Sequence, residues 1–243
     1  MKKIILLLSL LFILIACKED KKPDDTNLHI TGYIKGLKKG TLYIQHIRDT
    51  ALISIDTIII NGKSSFESHL QLNSPEMLYL FLDRGQTNSI DNNLPFFAEP
   101  GEINIKTTND DFFEKAIITG SQNHDLYEEF SKIKQRFTNS RLDLIEKSMK
   151  AVQDNNKALQ DSISEQMNQV TKRHYLFTAN YALNNARYEV GPYLALSEIY
   201  NAKLKYLDTI QKSMSEEVAT SRYGKMLTEY VREIKVKNSD SEK

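Results

Sequence analysis

The stretch "ALISIDTIIINGKSSFESHLQL", residues 51–72, decides the fold class. Its first ten residues are rich in β-branched side chains, which fit a pleated strand better than a helix. Asn61-Gly62 follows, a pair that readily adopts the positive φ angles of a tight turn and predicts a hairpin here. In the returning strand Phe66, Ser68, Leu70 and Leu72 share one face, with Glu67, His69 and Gln71 on the other. A strand with one apolar face must bury that face, so this segment calls for a sheet packed on something else.

The same signals continue on both sides. Upstream, residues 28–35 and 41–47 read as strands parted by Gly36 and Gly40. Downstream, residues 76–82 ("EMLYLFL") are apolar on both faces and suit a central strand. Residues 94–99 and 102–107 flank a Pro100-Gly101 turn, residues 115–120 close the set, and residues 83–93 read as an exposed loop. Seven or eight short strands predict an antiparallel β-sandwich or open barrel over residues 28–120.

Beyond Gly120 the apolar period changes. Leu126, Phe130, Ile133, Phe137 and Leu144 recur at helical steps, as do Leu159, Ile163, Met167, Val170, His174, Phe177 and Tyr181. Two antiparallel helices of about 45 Å each, joined at 153–157, are expected. Their stripes read as packing faces, with a partner-binding face as the alternative. Gly191 is placed at the end of the second helix and Pro192 in the first turn of the next. Shorter helices are expected at 193–212 and 215–236, so a helical domain fills 121–236 before a polar, frayed tail at 237–243. The predicted class is α+β.

The N-terminus opens with Lys2 and Lys3, then an apolar run from Ile4 to Ala16. At about 1.5 Å per residue that run spans about 20 Å, too short for a bilayer but right for a signal peptide. Leu14-Ile15-Ala16-Cys17 resembles the bacterial lipobox. The resemblance implies cleavage between Ala16 and Cys17, removal of residues 1–16 and acylation of Cys17. Two or more acyl chains anchor a protein stably where one does not. Residues 17–27 read as a charged, flexible tether. Within it Lys18, Glu19 and Asp20 resemble the signal that sends Bacteroidota lipoproteins to the cell surface. The expected location is the outer membrane, on its outer or periplasmic face.

Composition narrows the chemistry. The chain has 32 basic and 32 acidic residues, and losing Lys2 and Lys3 with the leader turns the balance weakly acidic. Such a chain lacks the cation excess that phosphate neutralisation needs, so no nucleic-acid partner is expected. Cys17 is the single cysteine, so acylation removes disulfide and thiolate chemistry together.

The β segment then resembles a family. Gly32, Gly36, Gly40 and Tyr43, then Asp56-Thr57, Gly62 and Phe66, then Pro75-Glu76 and Glu99-Pro100-Gly101 resemble the N-terminal domain of unknown function of Bacteroidota thioredoxin-like lipoproteins. "SRYGKMLTEY" at 221–230 resembles the helical segment that follows it. In many members a thioredoxin- or peroxiredoxin-like domain with redox cysteines comes next. This chain ends at Lys243 without those cysteines, so the resemblance carries no oxidoreductase activity to it.

The remaining candidates are weak as sites. His29, His46, His69, His124 and His174 include no pair at ligand spacing. The first three could converge across a sheet, yet no metal site and no cofactor is expected. His174 reads as a packed, hydrogen-bonded core histidine. Asp110-Asp111 and Glu128-Glu129 are expected to face water. Asp56-Thr57 reads as a pair that satisfies a neighbouring turn or edge, and Glu99-Pro100-Gly101 as a turn. Neither a nucleophile-elbow motif nor a phosphate-binding glycine loop occurs. The expectation is a lipid-anchored, non-catalytic binding or accessory module, with an unknown envelope protein or small ligand as partner. The alternatives are an accessory acting in trans on a thioredoxin-like oxidoreductase, and a structural spacer.

Overall fold

Alternating burial builds the N-terminal half. The computed structural model describes residues 26–85 and 90–241. Eight strands form two four-stranded sheets: β1 (Leu28–Lys35), β2 (Lys39–Arg48), β3 (Ala51–Asn61), β4 (Ser65–Leu70), β5 (Glu76–Asp83), β6 (Asn93–Ala98), β7 (Gly101–Thr108) and β8 (Ile117–Thr119). Sheet 1 has the order β4-β1-β7-β8 and sheet 2 the order β3-β2-β5-β6. Leu28, Ile30 and Ile34 of β1 and Phe66 and Leu70 of β4 meet Leu42, Ile44, Leu78, Leu80 and Phe96 of sheet 2 in one dry core.

The fold is therefore a sandwich rather than an open barrel, and two expectations need correction. The pairing is not wholly antiparallel: β1 and β7 run parallel from Leu28↔Gly101 to Lys35↔Thr108. Their connection passes through sheet 2, so no short turn forces them antiparallel. Nor do β3 and β4 form a hairpin, because they lie in different sheets. Gly62 takes a φ of 89° as a turn requires. Its N–H goes to Lys38 O at 2.8 Å, while Ile34 N–H reaches Ser64 O at 2.9 Å, so the chain switches sheets there. The tight hairpin is the next turn upstream, where Asp49 at φ 56° and Thr50 join β2 to β3.

Sheet 2 is the central layer. Leu78, Leu80 and Phe96 face the sandwich core, while Met77 and Phe97 join a second core built by helices. Those helices are α1 (Gln122–Gln153), α2 (Lys157–Asn184), α3 (Val190–Glu198), α4 (Leu204–Lys212), α5 (Glu216–Thr220) and α6 (Arg222–Ser241). Ser121 caps α1 by accepting from His124 N at 3.0 Å. Asn156 caps α2 by accepting from Leu159 N at 3.0 Å, just after the reversal at 154–156. The two periodic stripes face each other: Phe130 stacks on Phe177 at 5.6 Å and Phe137 on His174 at 5.1 Å. Packing on α1 thus occupies most of the stripe on α2.

The later helices differ from the sequence reading. Gly191 lies in the first turn of α3 rather than at the end of α2, which closes at Asn185. A Cβ there would come within 2.7 Å of Asn185 O, so close chain approach explains the glycine. Pro192 does occupy that first turn. The helix expected over 193–212 breaks between α3 and α4, and that over 215–236 divides at Ser221. Residues 237–241, read as tail, continue α6. Once Leu227 and Val231 are buried, each further residue adds a backbone hydrogen bond without new nucleation.

At the other end, Asn27 is held rather than flexible. Its side chain donates to Leu72 O and accepts from Leu72 N, both at 2.8 Å. The rest of the tether through Asp25, with Ala16, Cys17, Lys18, Glu19 and Asp20, lies outside the described residues, as does part of the 83–93 loop. Among the described residues no helix is long and apolar enough to cross a membrane.

Candidate functional site

The seam where sheet 2 meets α6 holds a concavity lined by charged side chains. α5 and α6 approach closely because Gly224 lacks a Cβ; one would sit 1.8 Å from Val218 O. Arg222 N–H donates to Ser74 Oγ at 3.2 Å, and Met77 N–H donates to the Tyr223 hydroxyl at 3.0 Å. The Arg222 guanidinium donates to Glu76 and to Ile47 O. These bonds pin the helix start to β2 and β5.

The resulting cleft encloses about 710 Å3 and is lined by His46, Arg48, Ser74, Glu76, Arg222 and Lys225 among others. Arg222 is paired with Glu76, while Arg48 and Lys225 have no acidic partner among the described residues. The N-terminus of α6 adds positive partial charge. His46 Nδ1 lies 3.9 Å from Glu76 Oε2, and its Nε2 is buried without a hydrogen-bond partner. A buried polar atom of this kind calls for a water or a ligand.

A second, aromatic compartment of about 540 Å3 opens on the other side of the same arginines. Arg48 and Arg222 line it together with Met77, Tyr79, Tyr193 and Tyr223. Burial pushes the Tyr223 phenol up to about 12 and Tyr193 higher still. Both stay protonated at physiological pH and give the compartment its aromatic bulk. A third concavity of about 590 Å3 is acidic, with Glu99, Glu189 and Glu217 on its walls.

That acidic corner gives Glu99-Pro100-Gly101 a role beyond a turn. Glu99 accepts from Gln122 N at 2.6 Å and from Asn123 Nδ2 at 2.7 Å, so it caps α1 from the sandwich. Asn123 in turn accepts from Val190 N at 3.0 Å. Burial, with Glu217 and Glu99 nearby, holds the Glu189 carboxyl above its usual range. Sequence reading missed this network because its members lie far apart in the chain.

The other candidates resolve simply. Asp56 accepts from Thr57 N at 2.7 Å and from the Ser68 hydroxyl, tying the edge of sheet 2 to β4. Asp111 pairs with Lys115 at 2.6 Å and Glu128 with Lys132 at 3.1 Å, while Glu129 accepts from the Tyr181 hydroxyl at 3.1 Å. His174 packs on Phe137, and its buried Nε2 has no hydrogen-bond partner among the described residues. His124 accepts from Phe97 N at 3.3 Å, and burial lowers its pKa. Of the three sheet histidines His46 lines the cleft, whereas His29 and His69 stack on sheet 1 beside Glu67.

Residues 28–127 match the family model described as a domain of unknown function, DUF4369. The match covers the whole sandwich and the first turns of α1, so the DUF4369 segment supplies His46, Arg48, Ser74 and Glu76 of the cleft. Arg222 and Lys225 come from beyond it. No curated protein and no solved structure matches the chain.

Proposed function

We propose that this protein is a lipid-anchored, non-catalytic binding module of the cell envelope. We infer that its seam cleft takes an anionic group joined to an apolar body. The observation that carries the ligand class is the unpaired charge of Arg48 and Lys225 beside the aromatic compartment. Opposite charge steers and orients such a ligand, and the aromatic walls desolvate the rest. The lining hydroxyls argue against catalysis. Ser74 accepts from Arg222 N and Ser221 from Gly224 N, and neither is hydrogen-bonded to His46. The resemblance of Leu14-Ile15-Ala16-Cys17 to the lipobox, after a short apolar run, supports the anchoring.

Two experiments test the reading. Cys17→Ser should move the protein from the membrane to the soluble fraction; continued retention counts against the anchor. Thermal denaturation of that soluble form with decanoate or with decanol separates the charge requirement. Decanoate should raise the midpoint more, and Arg48→Glu with Lys225→Glu should remove the difference. Equal shifts with both compounds, or no shift with either, would refute an anion-binding cleft.

A further inference from the structure

We propose that His29, Glu67 and His69 form a binding site for one divalent transition-metal ion of the zinc type, on the outer face of sheet 1. The site is separate from the seam cleft and does not depend on that reading.

Strand register places the ligands. His29 of β1 lies directly opposite His69 of β4 in the antiparallel ladder, and Glu67 precedes His69 by two residues on the same face. Three donors on two paired strands are held by backbone rather than by loops, as a preorganised site requires. The imidazole rings stack at 4.4 Å with 3° between their planes. Nε2 of His29 and Nε2 of His69 converge on a single oxygen, Glu67 Oε1, at 2.7 and 3.1 Å.

The spacing fits a small ion. Tetrahedral bonds of about 2.0–2.1 Å set ligand atoms about 3.3 Å apart. The three donor atoms lie within 4.8 Å of one another, and rotation of the two rings out of their parallel stack would bring both imidazole lone pairs onto one ion beside the carboxylate. The side chains are 33%, 60% and 47% exposed for His29, Glu67 and His69, which leaves them free to adjust and a fourth position open to water.

The donor set selects the metal. Two imidazoles and one carboxylate suit zinc, copper or nickel, whereas calcium and magnesium require mostly oxygen ligands. Glu102 of β7 lies beside His29 in the parallel ladder and adds negative charge to the approach.

Calorimetric titration of zinc ion alone into the full lipidated chain in non-ionic detergent tests this. One equivalent should bind. His29→Ala and His69→Ala should each lower the affinity at least as much as the roughly 10–100-fold that loss of an outer-shell partner costs. Glu67→Gln should weaken it, and Lys172→Ala on the exposed surface of α2 should leave it unchanged. Circular dichroism would verify that the variants are folded. Cobalt(II) gives an independent readout, since the intense visible bands of a tetrahedral ion should appear with the wild type and vanish with His69→Ala. Absence of saturable binding, or binding that both histidine variants retain, would overturn the proposal.

Discussion

The sandwich and the far end of the α1–α2 hairpin are made from similar apolar residues but held in opposite ways. In the sandwich, residues from both sheets close one continuous core whose members are distant in sequence, such as Ile30, Leu80 and Phe96. At the hairpin tip the buried cluster shrinks to Leu144, Ala151 and Ile163, with Met167 and Val170 against it. Leu142 and Met149 are 57% and 63% exposed there. What remains is local: intrahelical hydrogen bonds and the surface pairs Glu146–Lys150 and Lys157–Asp161. Both pairs are exposed to solvent, which screens them, so neither anchors the tip. The sandwich should therefore unfold as a unit, and the tip should open by itself.

The largest effect is expected where burial is complete. Phe96 is 0% exposed, so Phe96→Ala should cost about 3–5 kcal/mol and lower the urea midpoint of the whole chain. Leu144→Ala should cost less, about 2 kcal/mol, because the tip collapses more freely around the lost methyls. Its signature is also different. Hydrogen exchange should accelerate for amides flanking the 153–157 reversal and stay unchanged in β1, β2 and β5. Equal acceleration throughout would mean that tip and sandwich form one cooperative unit and would break the contrast.

The junction between the two regions should respond to acid. Burial lowers the pKa of His124 from its ordinary 6.5, with the nearby Glu128 and Asp125 opposing. The folded protein therefore binds this proton less readily than the unfolded chain. Stability from the neutral imidazole is present above about pH 6.5 and is lost as pH falls toward the lowered value. Glu189 acts in the opposite sense, since its pKa is raised and its charged form is the disfavoured one. Comparing wild type with His124→Gln separates them. Between pH 7.5 and 5.5 the urea midpoint should fall for the wild type and fall less for the variant.

How much of this was legible follows from the same contrast. Period-two patterning marked β4, β-branched content marked β3 and a run apolar on both faces marked β5, each to within a few residues of its observed bounds. Turn chemistry marked where the chain reverses, as at Gly62 and Gly101, but not which partner it then meets. Asn61-Gly62 thus reads as a hairpin although the strands beside it part into different sheets. The helical stripes were legible because Phe130 and Phe177 recur at helical steps. The cleft was not. His46 and Glu76 meet through the β2–β5 register and Arg222 joins them through the docking of α6, and nothing in their spacing carries that. His29 and His69 lie 40 residues apart in sequence and meet only through the β1–β4 register.

The smallest effect should fall on β3, the edge of sheet 2. Ile59 there is 77% exposed, among the most open of the large apolar side chains. It sits in a long strand with Leu52 and Ile53, also exposed, and its outer edge has no strand partner among the described residues. Exposed edges of this kind invite pairing with another chain, and a lysine on the edge blunts that tendency. Ile59→Lys removes little buried area, so the urea midpoint should change by no more than about 0.5 kcal/mol in equivalent stability. Aggregation on heating should nonetheless decrease, which light scattering would measure. A stability loss comparable to that of Leu144→Ala would instead show that Ile59 is packed in solution, and that the edge of β3 is covered by something other than water.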